Sequence, residues 1–171
     1  MRIVEVTPYS VKWKSDFETE SKRLQAIFGA EVINIHHIGS TSVCGLVAKP
    51  IIDIMPVVKD ISLIDKYTDE MDRIGYEAKG ENGIPGRRYF QKGGNERTHH
   101  VHIYEQGSRD IERHLAFRDY LRVHPNIAKQ YGDLKERLAN QFPDDIDAYI
   151  DGKAEFASEI ERQAVRWYRQ L

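Results

Sequence analysis

The segment that most constrains this chain is "KPIIDIMPVV", residues 49–58, an almost unbroken apolar run held between prolines. A strand with one wet face would alternate apolar and polar residues, so a run like this reads as a strand covered on both faces. A strand buried on both sides needs a layer above it and a layer below. Asp53 stands inside the run, between Ile52 and Ile54. An ionised side chain there is costly unless it is paired or bound to a cation.

The rest of the pattern supplies those layers. Val11, Trp13, Phe17, Leu24, Ile27 and Phe28 fall at spacings of three, four and seven, predicting an amphipathic helix after Pro8 that ends at Gly29. "EVINIHHIG" is β-rich and stops at Gly39, and a second helix is expected over residues 60–74, closed by Gly75. The glycine-rich stretches "KGENGIPG" and "KGGNE" bracket "RRYFQ", a short strand, and "RTHHVHIYE" follows as another. Alternation along that last strand puts His100, His102 and Tyr104 on one face and His99, Val101, Ile103 and Glu105 on the other. From residue 109 the pattern is helical, with Pro125 and Pro143 suited to helix N-termini. The expected fold is α+β: a single domain over residues 1–171, with a helix, a mixed sheet of about five strands and a helical C-terminal third.

Composition narrows the function. With 171 residues and a formal charge of -2, the chain can bury a full core and has no global pull toward nucleic acid or acidic membranes. It lacks an aromatic-basic run, which also argues against a nucleic-acid partner. Cys44 is the single cysteine, there is no apolar run long enough to cross a bilayer, and the N-terminus has no apolar signal core. The expected location is the cytoplasm.

The chemistry gathers around two stretches. The Gly39-Ser40 turn after a strand can present backbone N–H groups and a hydroxyl to a phosphate, Thr41 and Ser42 add hydroxyls, and Lys49 adds a cation just before Asp53. Asp53 itself has two readings: a structural ion pair with Lys49 or Arg88, or a ligand for a hard cation such as Mg²⁺ shared with a bound phosphate. His100 and His102 can join Asp53 in a site of two imidazoles and one carboxylate, which favours Mn²⁺, Fe²⁺ or Zn²⁺. They can also lie on a solvated face, or contact phosphate directly with Arg87, Arg88 or Arg97. Arg113, His114, Arg118, Asp119, Arg122 and His124 share a helix and read mainly as a solvated or ion-paired face.

"HHIGSTSVCGLVAKPIIDIM", with "RRYFQ", "RTHHVHIYE", "RHLAFRDYLRVHP" and "YIDGKAEF", resembles the GrpB family of small bacterial proteins, in order along nearly the whole chain. That family is similar to the nucleotidyltransferase superfamily, in which a Gly-Ser turn precedes a strand bearing an Asp-x-Asp pair. The resemblance implies a nucleotidyltransferase-like mixed sheet flanked by helices, with nucleotide phosphates over the turn. Gly39, Ser40, Thr41, Ser42, Arg88 and Lys153 would bind phosphate, Asp53 would hold Mg²⁺ or Mn²⁺, and Lys49 would act on developing charge. Two positions depart from the pattern: Cys44, where relatives tend to have proline, and Met55, which occupies the second carboxylate position and is a poor Mg²⁺ ligand. The expected function is binding of a nucleotide or other phosphorylated small molecule, with metal-dependent nucleotidyl or phosphoryl transfer as its active form. The alternative is a binding module that keeps the pocket without catalysis.

Overall fold

The structure, a computed structural model, describes residues 2–171. Helix α1 (Lys12–Phe28) leads into strands β1 (Val32–Ile38) and β2 (Ile52–Val58); a short helix α2 (Thr68–Arg73) and strands β3 (Tyr76–Ala78), β4 (Arg88–Lys92) and β5 (His99–Glu105) follow. Helices α3 (Arg109–Val123), α4 (Pro125–Gln141) and α5 (Ile146–Tyr168) make up the C-terminal third. The five strands form one mixed sheet in the order β1-β2-β5-β4-β3, in which only the β2–β5 pair is parallel. The fold is α+β, as expected.

Three local details differ from expectation. The helix expected over residues 60–74 divides into a 3-10 stretch, Ile61–Tyr67, and α2. Asp60 starts the first piece by accepting the Ser62 N–H at 3.0 Å. "YEA" forms the fifth strand, too short to show alternation, while the opening residues 3–6 lie outside the sheet. Near that opening, Thr7 exchanges two backbone hydrogen bonds with Ala48. Pro125 begins α4, whereas Pro143 lies in the loop ahead of α5, where its carbonyl accepts the Val4 N–H.

Register divides the sheet into two chemical faces. Ile54, Val101, Ile103 and Phe90 point toward α1 and the 61–73 segment, where they pack with Leu24, Phe28, Ile64 and Met71. The opposite face carries Asp53, Met55, His100, His102 and Tyr104. Met55 and Tyr104 join Ile38 under the start of α3, against Ile111 and Leu115. The apolar run is therefore covered on both sides, and β2 is buried at every position except the half-buried Asp53.

The first face also holds a charged cluster. Glu20 of α1 is only 2% exposed, and its carboxylate takes Lys92 Nζ at 3.0 Å and His99 Nε2 at 3.3 Å. Removing one partner of a buried pair costs far more than the pair contributes, because the other charge is left without compensation. Glu20→Gln is expected to destabilise the protein by about 3 kcal/mol in urea denaturation.

Candidate functional site

The site begins at the turn that ends β1. Gly39 has φ 72° and ψ −172°, a region open essentially only to glycine. A Cβ here would come within 2.6 Å of Asp53 Oδ2. The absent side chain thus lets the turn close directly onto the carboxylate. Ser42 N and the Ser42 hydroxyl both donate to the Gly39 carbonyl, which shapes a one-turn 3-10 helix over Ser40–Ser42.

Across the parallel pair, Asp53 stands opposite His100. Its Oδ1 lies 3.1 Å from His102 Nε2 and 3.5 Å from His100 Nδ1. Burial pushes the Asp53 pKa up, but the hydrogen bonds from His100 and His102 outweigh it and hold the group well below the usual carboxylate range. For His102, burial prevails over the pull of Asp53 and lowers its pKa. An ionised aspartate accepting from a neutral imidazole is the resulting pair at pH 7.

Beside Asp53 lies a cavity of about 190 Å³, whose walls include Ser40, Thr41, Lys49, His100, Lys135, Tyr149 and Lys153. The three lysines come from the loop before β2, from α4 and from α5. Their charges rest against two tyrosine rings: Lys135 Nζ is 4.6 Å from the centre of Tyr131, and Lys49 Nζ is 5.1 Å from that of Tyr149. Burial first, and then Lys153, pull the Lys49 pKa down to about 8. Burial, then Lys153 and Lys49, bring Lys135 down to about 7. None of the three makes an ion pair with a carboxylate among the described residues, and Lys135 is 2% exposed. Larger clefts occur beside α1, about 720 Å³, and between α3 and α5, about 630 Å³. Several of their arginines are matched by acids, as in Arg118–Asp119 at 2.8 Å and Arg169–Glu112 at 2.6 Å. In the lysine cavity three lysines, one buried and two half-buried, converge without such partners among the described residues.

A family profile described as "GrpB protein" matches residues 3–163. The chain belongs to the GrpB family. It is 57% identical over 166 residues to the UPF0157 protein YqkA of Bacillus subtilis, covering 97% of this chain and 48% of YqkA. It is 37% identical to the UPF0157 protein PA4798 of Pseudomonas aeruginosa, covering 92% of this chain and 66% of that one. The chain thus spans about half of YqkA and two thirds of PA4798. The crystal structure of conserved protein GrpB from Enterococcus faecalis superposes with a TM-score of 0.93 at 48% identity, over 96% of this chain and 99% of that one.

Of the residues singled out in the sequence, the structure gathers Ser40, Thr41, Lys49, Asp53, His100 and Lys153 around one cavity, with Gly39 and His102 against the Asp53 carboxylate. Thr41 Oγ1 is engaged with His37 Nε2 at 2.9 Å, which leaves the Ser40 hydroxyl as the turn's unengaged oxygen. Two expectations need correction. Ser42 turns its hydroxyl back to the Gly39 carbonyl and lines the cleft beside α1 instead of the lysine cavity. Arg88 pairs with Ile103 in register, so it lies on the opposite face of the sheet, bonded to Asp65 at 2.7 Å. Its neighbour Arg87 is the arginine that reaches the site, with Nη1 3.4 Å from His102 Nδ1. Asp53 pairs with neither Lys49 nor Arg88, since its partners are the two histidines.

Lys135 went unmarked because a lysine on a helix ordinarily reads as solvated. The signal was its place on the stripe Ala128, Tyr131, Gly132 and Leu138, the buried face of α4.

Two outcomes are expected. Gly39→Ala should cost about 3 kcal/mol, from the forbidden backbone conformation together with the clash on Asp53. Adding Asp53→Ala removes the clashing oxygen, so the double variant should lose less than the sum of the two single losses. Lys135→Met should stabilise the ligand-free protein at pH 7 by about 1–3 kcal/mol, since it removes a buried unpaired charge. Between its folded pKa of about 7 and its ordinary 10.5, the unfolded chain keeps the Lys135 proton that the folded chain has released. Wild-type stability from thermal melts should therefore rise with pH across that window, and more steeply than in the variant.

Proposed function

We propose that this protein binds the phosphate groups of a nucleotide or other phosphorylated small molecule in the lysine cavity. The observation that carries this reading is the convergence of Lys49, Lys135 and Lys153 on one small space, with Asp53 the only acid in its wall among the described residues. Three ammonium groups that repel one another are relieved by a polyanion, and phosphate oxygens suit their point charges. A cavity of about 190 Å³ suits one or two phosphate groups, and the remainder of a nucleotide would extend outward. The adjoining cleft shares Lys49 and Ile51 and presents Arg2 and Arg97 beside Glu5 and Glu96.

The same charge bears on metal binding. A free divalent cation is repelled by the lysines and fits only together with phosphate, when Asp53 would be the protein ligand. Bound in that way, a hard cation such as Mg²⁺ or Mn²⁺ would neutralise charge on the phosphoryl oxygens. The protein's own groups do the rest: the lysines hold the phosphates, the Ser40 hydroxyl can donate to them, and the histidines keep Asp53 ionised and aimed.

Met55 favours the second reading, a binding module without transfer. It has no exposure and packs with Ile38 and Tyr104, so the second carboxylate of an Asp-x-Asp pair has been replaced by core. Nucleotidyl transfer with Asp53 alone would pass the nucleoside monophosphate of a triphosphate to an acceptor and release pyrophosphate in the presence of Mn²⁺, phosphoryl transfer would release the nucleoside diphosphate, and binding alone would release neither.

Calorimetric titration with pyrophosphate and with ATP, with and without Mn²⁺, tests the site. Wild type should bind both, and Lys135→Met should weaken binding at least tenfold, or about 1.4 kcal/mol. Asp53→Asn should tighten metal-free binding, because it removes a negative charge facing the phosphate, and should abolish any gain from Mn²⁺. Failure of wild type to bind either ligand, or indifference to Lys135→Met, defeats the proposal.

A further inference from the structure

Asp53, His100 and His102 present one ligand atom each within 4.8 Å of one another, the spacing of a metal centre. The groups behind them contradict that use. Arg87 follows the glycine-rich loop between β3 and β4 and is 6% exposed. Its Nε donates to the Glu81 carbonyl at 3.1 Å, its Nη2 to the Asn82 carbonyl at 2.8 Å, and its guanidinium lies 4.8 Å from the centre of the Tyr89 ring. The remaining arm, Nη1, points at His102 Nδ1. Arg87 makes no ion pair with an acid among the described residues.

We propose that Arg87 locks His102 as a hydrogen-bond donor to Asp53, and so prevents the Asp53–His100–His102 cluster from taking up a transition metal such as Zn²⁺. A guanidinium has donors only, so the His102 nitrogen that faces it must be the bare one. The proton is then on Nε2, the atom 3.1 Å from Asp53 Oδ1, where an acceptor is waiting. One tautomer satisfies both ends of the ring. The other sets N–H against N–H at Arg87 and lone pair against lone pair at Asp53, and the doubly protonated ring still opposes Arg87.

A metal would need the reverse. A metal-bound imidazole offers its lone pair to the ion and donates its other N–H to a carboxylate, a carbonyl or water. With Nε2 protonated toward Asp53, His102 has no lone pair on the metal side, and Arg87 cannot accept the N–H that the other tautomer would carry. His100 fits the same pattern: its Nδ1 faces the shared Oδ1, while its Nε2 is buried without a partner among the described residues. Both histidines converge on Oδ1. Oδ2 remains on the side of Gly39 and the turn. Arg87 is a positioning residue, and its effect is to reserve Asp53 for what the cavity brings to it. This inference is independent of which anion the lysine cavity binds.

The test reads the tautomer directly. In two-bond ¹H–¹⁵N spectra of ¹⁵N-histidine-labelled wild-type protein at pH 7, assigned with a His102→Gln variant, His102 should show a bare Nδ1 and a protonated Nε2. A protonated Nδ1, alone or in an imidazolium, overturns the proposal. A second arm measures Zn²⁺ affinity by competition with a chromophoric chelator. Arg87→Gln places an amide oxygen where the guanidinium was, an acceptor suited to a metal-bound imidazole. Zn²⁺ affinity should rise at least tenfold in Arg87→Gln, and the gain should vanish in Arg87→Gln/His102→Ala. Unchanged Zn²⁺ affinity in a folded Arg87→Gln protein, or wild-type Zn²⁺ affinity that falls on His102→Ala, refutes the lock. Should Arg87→Gln not fold, the wild-type spectrum decides alone.

Discussion

Everything at this site depends on how β2 is paired. Its antiparallel contact with β1 sets Asp53 against Ile38 and the turn that follows it, and its parallel contact with β5 sets Asp53 beside His100. Because side chains alternate along a strand, a shift of one residue in either pairing would send Asp53 into the apolar layer under α1 and bring Ile54 into the cavity. The apolar residues on both sides of Asp53 fix that register. Hydrophobic burial thereby holds a single charged group in place, and the group needs no ion pair with lysine or arginine to stay there.

The lysine cavity follows a different logic from the core around it. Leu24, Ile54, Val101 and Ile103 are completely or nearly completely buried and stabilise the fold through area removed from water. Lys135 is buried and Lys49 half-buried at a cost, visible in pKa values drawn down toward neutrality. Tyrosine faces and a single carboxylate offset part of that cost. Natural proteins retain such strain where function needs it, and a site tuned only for stability would have placed leucine or methionine at residue 135.

The sequence made the sheet and half of the site legible, for reasons that can be stated residue by residue. Asp53 stood out because a carboxylate interrupts an apolar run, and the two-residue spacing of His100 and His102 on a strand requires a common face. The error between Arg87 and Arg88 was one of parity. Which arginine faces the site depends on how the glycine-rich loop enters β4, and that loop has no period to read. Ser42 was misplaced because a hydroxyl three residues from a carbonyl can fold back on it as readily as reach a ligand. Strand β3 is three residues long, below the length at which alternation means anything. Lys135 was hidden because charge on a helix is usually solvated, and only its partners on α4 and α5 reveal otherwise.

The cavity is shared between distant parts of the chain, and this orders its assembly. The five-stranded sheet is complete at Glu105, by which point Gly39, Asp53, His100 and Lys49 are already in the chain. Lys135 and Lys153 arrive only with α4 and α5, so during synthesis on a ribosome two of the three positive charges are added after the rest of the site. Docking of α4 and α5 packs the apolar faces of the helices while bringing ammonium groups toward one another, and the ionic surroundings weigh on its balance. A multivalent anion in solution favours that step by screening the repulsion and, where it binds the finished cavity, by mass action. Ionic strength therefore bears on the packing of these helices as well as on any ligand of the cavity.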